Sequence, residues 1–424
     1  MKNQTLKGKI VVAQSGGCTA VINQSLAGVV MAARHSHMTG VLGSRNGIEG
    51  ILNDSLIDLK VKSAKLMRDV ANSPSAALGS SRYKLKPGDD RKIIASLRKH
   101  NIRYVFLIGG NDTANTSLRI ANAAEKDHYE VRVIHIPKTI DNDLVETDHC
   151  PGYGSVARFA AITTQEAALD TQAMKNVDPV KIIELMGRNS GWIVAASALL
   201  KKSPSDAPHI LLIPEVPFDE TAFIKRTEAV LQSVGYCIIV ISETIRDYGG
   251  NRIGRKTEGV TADPFGHGYV EGASARLANI LEKRLRVRAR FDKPGTIQRM
   301  SMAYISQTDQ REAYQAGVHA VKWALRGMTK VMVGFKRSSG EPDSPSKNSK
   351  VNWTRPGYLQ SKEKRCRDEK YAIIYKPVPL EKIPSQERGL PAGFFDKKKG
   401  MITPAFVKYA LPLLGRDLPH FASL

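Results

Sequence analysis

The residues best equipped for chemistry lie in Ile134–Asp143, IHIPKTIDND. An apolar run ends at Pro137, and the turn after it carries Lys138, Thr139, Asp141 and Asp143. Two carboxylates two residues apart in a turn repel each other unless a cation or a hydroxyl donor lies between them. Lys138, three residues ahead of Asp141, supplies a positive charge that can face an anionic substrate. The combination suits proton abstraction from an alcohol held beside a polyphosphate. A competing reading is an Asp/Asn-rich turn in which short polar side chains bond their own backbone. The balance moves toward chemistry because further phosphate-type signals occur in an order that fits one site.

Those signals ride on elements that must position them. The chain alternates short β-branched runs with longer amphipathic stretches, the pattern of a parallel sheet covered by helices. Lys9–Gln14 reads as a first strand, running through Ser15-Gly16-Gly17 into a helical pattern from Thr19 to Ala33. Such a turn lets backbone N–H groups approach an anion, although glycine also serves tight packing there. In LGSSRYKL, Arg82 follows a glycine and two serines; it is either a fork for phosphate oxygens or a solvated loop charge. A helix over Asp90–His100 precedes the strand Tyr104–Ile108, which opens into Gly109-Gly110-Asn111-Asp112-Thr113 and a second helix. Asp and Thr are good N-caps, but a cap needs no preceding glycine pair, so a phosphate or metal role is favoured.

Beyond the Asp141 turn, Gly154–Met174 reads as a long helix and Val180–Met186 as a strand ending in Gly187-Arg188. Ala207–Pro214 and Tyr236–Ser242 are further strands around the helix Glu220–Val234, and the second ends in Ser242-Glu243-Thr244. Glu243 thus stands at a strand's C-terminal edge, where open α/β sheets bind ligands. Next come a helix over His267–Arg286, the basic stretch RVRARFDKPGTIQRM, a helix over Ser306–Leu325 and a strand over Lys330–Phe335. Residues 337–368 turn polar and Ser/Pro/Lys-rich, a loop or insertion of unusual length for a compact lobe. Apolar periodicity returns in 369–424, which is expected to pack back on the body.

Composition sets outer limits. A chain of 424 residues, 42% hydrophobic, buries a large core and is expected to form two lobes. No apolar run reaches membrane-spanning length, and MKNQTLKGKI lacks a secretory core, so a cytoplasmic protein without membrane partners is expected. Cysteines at 18, 150, 237 and 366 have no metal-ligand spacing and read as reduced thiols. The net charge of +22 is spread widely, dense only around Lys362–Lys370, and unaccompanied by zinc-finger or RNA-recognition motifs. A field that draws in small polyanions accounts for it better than specific nucleic-acid binding.

The motifs SGGCTAVIN, LGSSRYKL, IGGNDT, PKTIDND, ELMGRNSGW, VISE and GTIQR stand in the order and rough spacing of the phosphofructokinase family. VPLEKI and FVKYALPLLG resemble the tail of its diphosphate-dependent branch. The resemblance implies a two-lobed α/β fold, with residues 1–150 on the donor side and 151–336 on the sugar-phosphate side. It implies reversible phosphoryl transfer from inorganic diphosphate to the 1-hydroxyl of fructose 6-phosphate, a step of glycolysis and gluconeogenesis, with Mg²⁺ as cofactor. Asp141 matches the catalytic base, with Thr139 and Asp143 beside it. Met186, Gly187, Arg188, Glu243, Arg290, Thr296 and Arg299 match the sugar-phosphate site; Gly16, Arg82 and Lys138 match donor-phosphate positions. Asp112 and Lys138 stand where ATP-using members have glycine, and Asn111 stands at the usual metal-side aspartate. Arg290 matches a residue that reaches across a subunit interface, which implies a homodimer or homotetramer.

Three departures from the family pattern bear on this. Asn111 must ligate through its carbonyl oxygen or a water, or share the role with Asp112. Thr296 replaces the His or Tyr common before Ile-Gln-Arg, and Lys181 lies where a second interface arginine is usual. Two other classes remain open at this point: an ATP-dependent kinase of the same fold, and a regulatory paralogue without activity.

Overall fold

β-Branched and aromatic runs flanked by glycine and polar turns produce the strands, and their alternation decides which helices cover them. The computed structural model describes residues 6–36, 38–254, 272–338, 371–383 and 386–422. Besides a two-stranded ribbon of Phe395–Asp396 and Met401–Ile402, its strands are β1 (Lys9–Gln14), β2 (Gly40–Ser44), β3 (Leu56–Asp58), β4 (Ile102–Gly109), β5 (Arg132–Pro137), β6 (Val180–Leu185), β7 (Ile210–Leu212), β8 (Cys237–Ser242), β9 (Ala289–Asp292), β10 (Val331–Arg337) and β11 (Ile373–Pro379). A seven-stranded sheet runs β11-β10-β5-β4-β1-β2-β3, and a four-stranded one runs β7-β8-β6-β9. The smaller sheet is wholly parallel; in the larger, only the outer pairs β10–β11 and β2–β3 are antiparallel.

Period-two alternation explains the layers. Ile10, Val12, Tyr104, Phe106, Ile134 and Ile136 point to one face, under the helices Ile22–Arg34 and Gln307–Leu325. Val11, Ala13, Val105, Leu107 and Val133 point to the other, under the helices Asp89–Lys99 and Asn111–Lys126. Both faces are apolar because both are covered, as parallel sheets require. In the smaller sheet Ile183, Leu185, Ile238 and Val240 pack toward the helix Tyr153–Ala173 and Trp192.

Most expected elements lie where the sequence puts them, with ends moved by a few residues. The first helix is an exception: it starts at Ile22, and its N-cap Val21 makes no side-chain cap bond. Residues 16–21 form a bend at Gly16-Gly17 and a turn at Ala20-Val21 ahead of the helix. The expected helix from His267 is described as Ala273–Leu285, and the polar stretch lies outside the described residues apart from Arg337 and Ser338. The helix Gln307–Leu325 and β10 fall within 151–336 by number but belong with the seven-stranded sheet. In the C-terminal segment Phe406, Ala410, Leu413 and Leu414 are buried in the core around the smaller sheet.

A buried charge cluster ties this segment to the loop after β5. His149 is 1% exposed, with one ring nitrogen 2.8 Å from Asp148 Oδ1 and the other 2.7 Å from Glu312 Oε2. Tyr371 donates to Glu312, Arg337 donates to Asp148, and the Tyr409 hydroxyl donates to the Asp148 carbonyl. Burial opposes the imidazolium, but the two carboxylates outweigh it and raise His149 from 6.5 to about 9. A raised folded pKa stabilises below the unfolded value, and the gain is lost as pH rises through the folded one. We expect His149 to contribute ~3 kcal/mol below pH 6.5 that is lost on passing pH 9. Urea unfolding across that range checks it: His149→Gln should lower the midpoint at pH 6 and flatten its decline toward pH 9.5.

Candidate active site

The larger sheet has its topological switch at β1, which pairs with β2 on one side and β4 on the other. Crossovers leave such a strand in opposite directions, so a crevice opens beyond its C-terminal end. Ser15 N–H donates to the Ile108 carbonyl, and Lys138 N–H donates to the Gly109 carbonyl. The turns after β1, β4 and β5 therefore lie side by side, bringing together Gly16, Gly17, Asn111, Asp112 and Lys138. In the smaller sheet β6 and β8 are neighbours, and Glu243 N–H donates to the Leu185 carbonyl. Ser242 Oγ donates to the Gly187 carbonyl, and Met186 N–H donates to Gln298 Oε1, fixing the Met186–Arg188 turn. Ser190 Oγ reaches across to the Asp141 carbonyl at 3.0 Å.

Between these edges lies a cleft of about 140 Å³ lined by Asn111, Asp112, Asp141, Asp143, Arg188, Asn189, Ser190, Glu387 and Arg388. Thr139 Oγ1 accepts from the Asp141 N–H and sets the turn. Burial pushes the Asp141 carboxyl up to about 7, Asp143 and Glu243 add to the rise, and Arg188 and Lys138 oppose it. Burial also raises Asp143, with Glu387 reinforcing it, and raises Glu243, with Arg188 and Lys293 opposing. A carboxylate poised near neutrality suits a general base.

Lys138 is 4% exposed, and its Nζ donates to the Gly17 carbonyl at 2.7 Å. Burial pulls its ammonium down to about 8; Arg299 lowers it further, against the pull of Cys18, Asp141 and Asp143. The glycine pair has a steric reason. A Cβ on Gly16, at φ +78°, would stand 3.0 Å from Lys138 Nζ, and one on Gly17 would stand 2.7 Å from Arg299 Nη1. Only glycine lets two cationic groups approach this closely. The Gly16 N–H donates to the Ser81 carbonyl, so that amide holds the Arg82 loop rather than an anion. What Gly16 contributes in this geometry is its missing side chain. Arg299 Nε is buried without a hydrogen-bond partner, and Arg82, Arg188 and Asp141 all act on this guanidinium.

One expected residue, Arg290, is not brought to the cleft within its own chain. Arg290 pairs in register with Lys181 near the start of β6, far from its C-terminal edge, and donates to Asp178 at 2.6 Å. Thr296 is exposed ahead of the short helix Ile297–Met300. Lys181, a candidate to stand in for an interface arginine, is held by Asp170 and Asp292 of its own chain. Conversely Glu387 and Arg388 line the cleft although no motif marked them; a Glu-Arg pair in a polar stretch carries no local signal. Asn111 Oδ1 is buried without a partner and lines the cleft with Asp112, an oxygen pair of the hard kind that Mg²⁺ prefers, while among the described residues no group of three or more Asp, Glu, His or Cys side chains is disposed to hold a metal ion.

The geometry has known counterparts. A sequence model described as Phosphofructokinase matches residues 9–324. A pyrophosphate–fructose 6-phosphate 1-phosphotransferase of Xanthomonas campestris is 37% identical, covering 97% of this chain and 93% of its own. One of Halomonas elongata is 36% identical over 96% of this chain and 92% of its own. The crystal structure of a pyrophosphate-dependent phosphofructokinase from Marinobacter aquaeolei superposes with TM-score 0.82 at 31% identity, covering 98% of this chain and 94% of that one.

The lysine makes its own prediction, independent of any relative. Acylation of Lys138 by a small anhydride, followed by mass spectrometry across pH, should titrate near 8 rather than 10.5. Arg299→Gln removes a cation that depresses it and should move the midpoint upward; an unchanged midpoint would show that the two groups do not interact.

Proposed function

This chain belongs to the phosphofructokinase family, and from that premise we propose that it transfers a phosphoryl group reversibly from inorganic diphosphate to the 1-hydroxyl of fructose 6-phosphate. The observation that carries the reading is the pairing of a buried lysine with a carboxylate poised near neutrality in a cleft whose rim is Asp112. In this reading Asp141 takes the proton from the 1-hydroxyl as that oxygen attacks the nearer phosphorus. The bridging P–O bond breaks, and its electrons leave on the departing phosphate. Lys138 neutralises the phosphoryl group in flight, and alignment with charge neutralisation does the rest. Arg188 and Arg299 hold the sugar's 6-phosphate, Glu243 accepts from a sugar hydroxyl, and Arg82 takes the donor. Mg²⁺, held by Asn111 Oδ1 and Asp112 together with donor oxygens, would offset the donor's charge.

The donor preference rests on Asp112 and Lys138. At the positions where ATP-using members have glycine, Asp112 places a negative charge against a nucleotide's α-phosphate, and like charges at contact cost several kcal/mol in a partly desolvated site. Arg290 lies away from the cleft of its own chain, which suits a homodimer or homotetramer in which it serves a neighbour's sugar phosphate. The proposed compartment is the cytoplasm, in keeping with the free thiols of Cys18, Cys150 and Cys237.

The decisive assay is fructose 1,6-bisphosphate formation by the purified protein with diphosphate and with ATP separately. Turnover is expected with diphosphate alone, and phosphorylation by ATP alone would reverse the donor assignment. Asp141→Asn should cut kcat by at least ~10²-fold with little change in sugar affinity. Arg299→Ala should weaken sugar binding by roughly 2–5 kcal/mol.

The pH profile is set by the two shifted groups. Asp141 must be ionised, so kcat/KM falls as pH drops through about 7; Lys138 must be protonated, so it falls again as pH rises through about 8. The bell should therefore be narrow. Lys138→Arg should abolish its alkaline limb while leaving the acid limb in place, whatever it does to the maximal rate.

A further inference from the structure

The loop that carries Asp141 has no strand or helix to hold it. Residues 139–150 run from β5 to the helix Tyr153–Ala173 through Asn142, at φ +54°, and Glu146, at φ +60°. Several of their carbonyls converge on one side chain from far along the chain. Arg388 donates through Nε and Nη2 to the Asn142 carbonyl at 3.3 and 3.0 Å, and through Nη1 to the Thr147 and Asp148 carbonyls at 2.7 and 2.9 Å. Its own backbone N–H donates to the Asp143 carbonyl at 2.7 Å. The carbonyls on both sides of the Asn142–Asp143 peptide are thereby fixed, one residue after the base.

The segment holding Arg388 is itself bound to the other half of the site. The guanidinium lies 4.8 Å over the Trp192 ring, whose Nε1–H donates to the Arg388 carbonyl. Glu215 Oε1 accepts from both Gly191 N–H, in the turn after β6, and Leu390 N–H. Asn189 donates to Glu387 at 2.8 Å. Residues 387–390 thus span from the base's loop to the Gly187–Gly191 turn. They also lie outside residues 9–324, the stretch matched by the family as a whole.

We propose that Arg388 is a positioning residue for the proposed phosphoryl transfer: by gripping the Asn142, Thr147 and Asp148 carbonyls it holds Asp141 in register with the sugar-side turn. A planar fork with donors on three nitrogens suits this task, and an ammonium cannot reproduce it. Loss of the fork leaves the loop free to shift, and a displacement of about 1 Å at a reacting group costs on the order of 10²-fold in rate. The effect should appear in kcat rather than in affinity, because the sugar-phosphate arginines are not part of the grip.

The test compares Arg388→Ala and Arg388→Lys with Arg158→Gln, which cuts a similar tether to the Leu414, Arg416 and Asp417 carbonyls away from the cleft. Wild-type turnover with diphosphate is measured alongside; if it is absent, the proposed reaction fails. Hydrogen exchange without substrates then still tests the grip, since the amides of residues 143–150 should exchange faster in both Arg388 variants but not in Arg158→Gln. With an active wild type, Arg388→Lys should lose on the order of 10²-fold in kcat with KM for fructose 6-phosphate within about threefold. Added guanidinium should restore part of the activity of Arg388→Ala and none of the Arg388→Lys loss. Near-normal kcat per folded molecule in Arg388→Lys, or an equal loss in Arg158→Gln, would overturn the assignment. Should Arg388→Ala not fold, Arg388→Lys decides the matter by the same criteria.

Discussion

A base that takes a proton from an alcohol must be kept partly dry, yet its site must also draw in two polyanions. Everything in the cleft answers to that constraint. Asp141 is raised toward neutrality by burial and by Asp143 and Glu243, while Lys138 and Arg188 keep it from becoming a permanent acid. Lys138 is depressed by the same burial and by Arg299, while Asp141 and Asp143 help hold its charge. Each group's usefulness depends on the other's presence. Moving either by an ångström would change both pKa values, so the backbone around them has to be fixed from several directions.

The supports differ in kind. The glycine pair after β1 makes room, since any side chain there would meet the lysine or Arg299. Strand pairing supplies the order of the turns, because β1, β4 and β5 are adjacent and parallel. The buried His149 imidazolium, wedged between Asp148 and Glu312, closes the far end of the Asp141 loop. Breaking such a pair from one side strands a charge in a dry interior, which costs about 3–5 kcal/mol.

Much of this was legible in the sequence for a physical reason. Buried parallel strands must be continuous apolar runs, so KIVVAQ, YVFLI and VKIIELM announce themselves, and the turn after each of them faces the cleft. It is the family resemblance, laid over such runs, that implies one site shared by Asp141, Lys138, Arg188 and Glu243. Contacts made across long sequence distances by residues without periodicity could not be read. Glu387 and Arg388 sit in a stretch with no secondary structure, and the partners of Arg388 are backbone carbonyls, which carry no sequence signature. The hydrogen bond of the Gly16 amide to the Ser81 carbonyl is illegible for a related reason, since whether an amide is spent on a neighbouring loop depends on where that loop comes to rest.

The antiparallel pairing of β10 with β11 has a consequence for how this chain can vary. Arg337 lies opposite Ile373, and Ser338 N–H donates to the Ala372 carbonyl at 2.9 Å, so the polypeptide leaves and re-enters the sheet at adjoining points. Joining ends that are already paired costs little more for a long excursion than for a short one, because closure entropy grows only with the logarithm of length. The stretch between Ser338 and Tyr371 is therefore a tolerant port: its length and composition can drift among descendants, or be exchanged for a foreign module, while the register of the sheet stays put. Tyr371 and Arg337, one on each side of that port, belong to the charge cluster around His149, so cargo installed there would sit next to the brace of the base's loop.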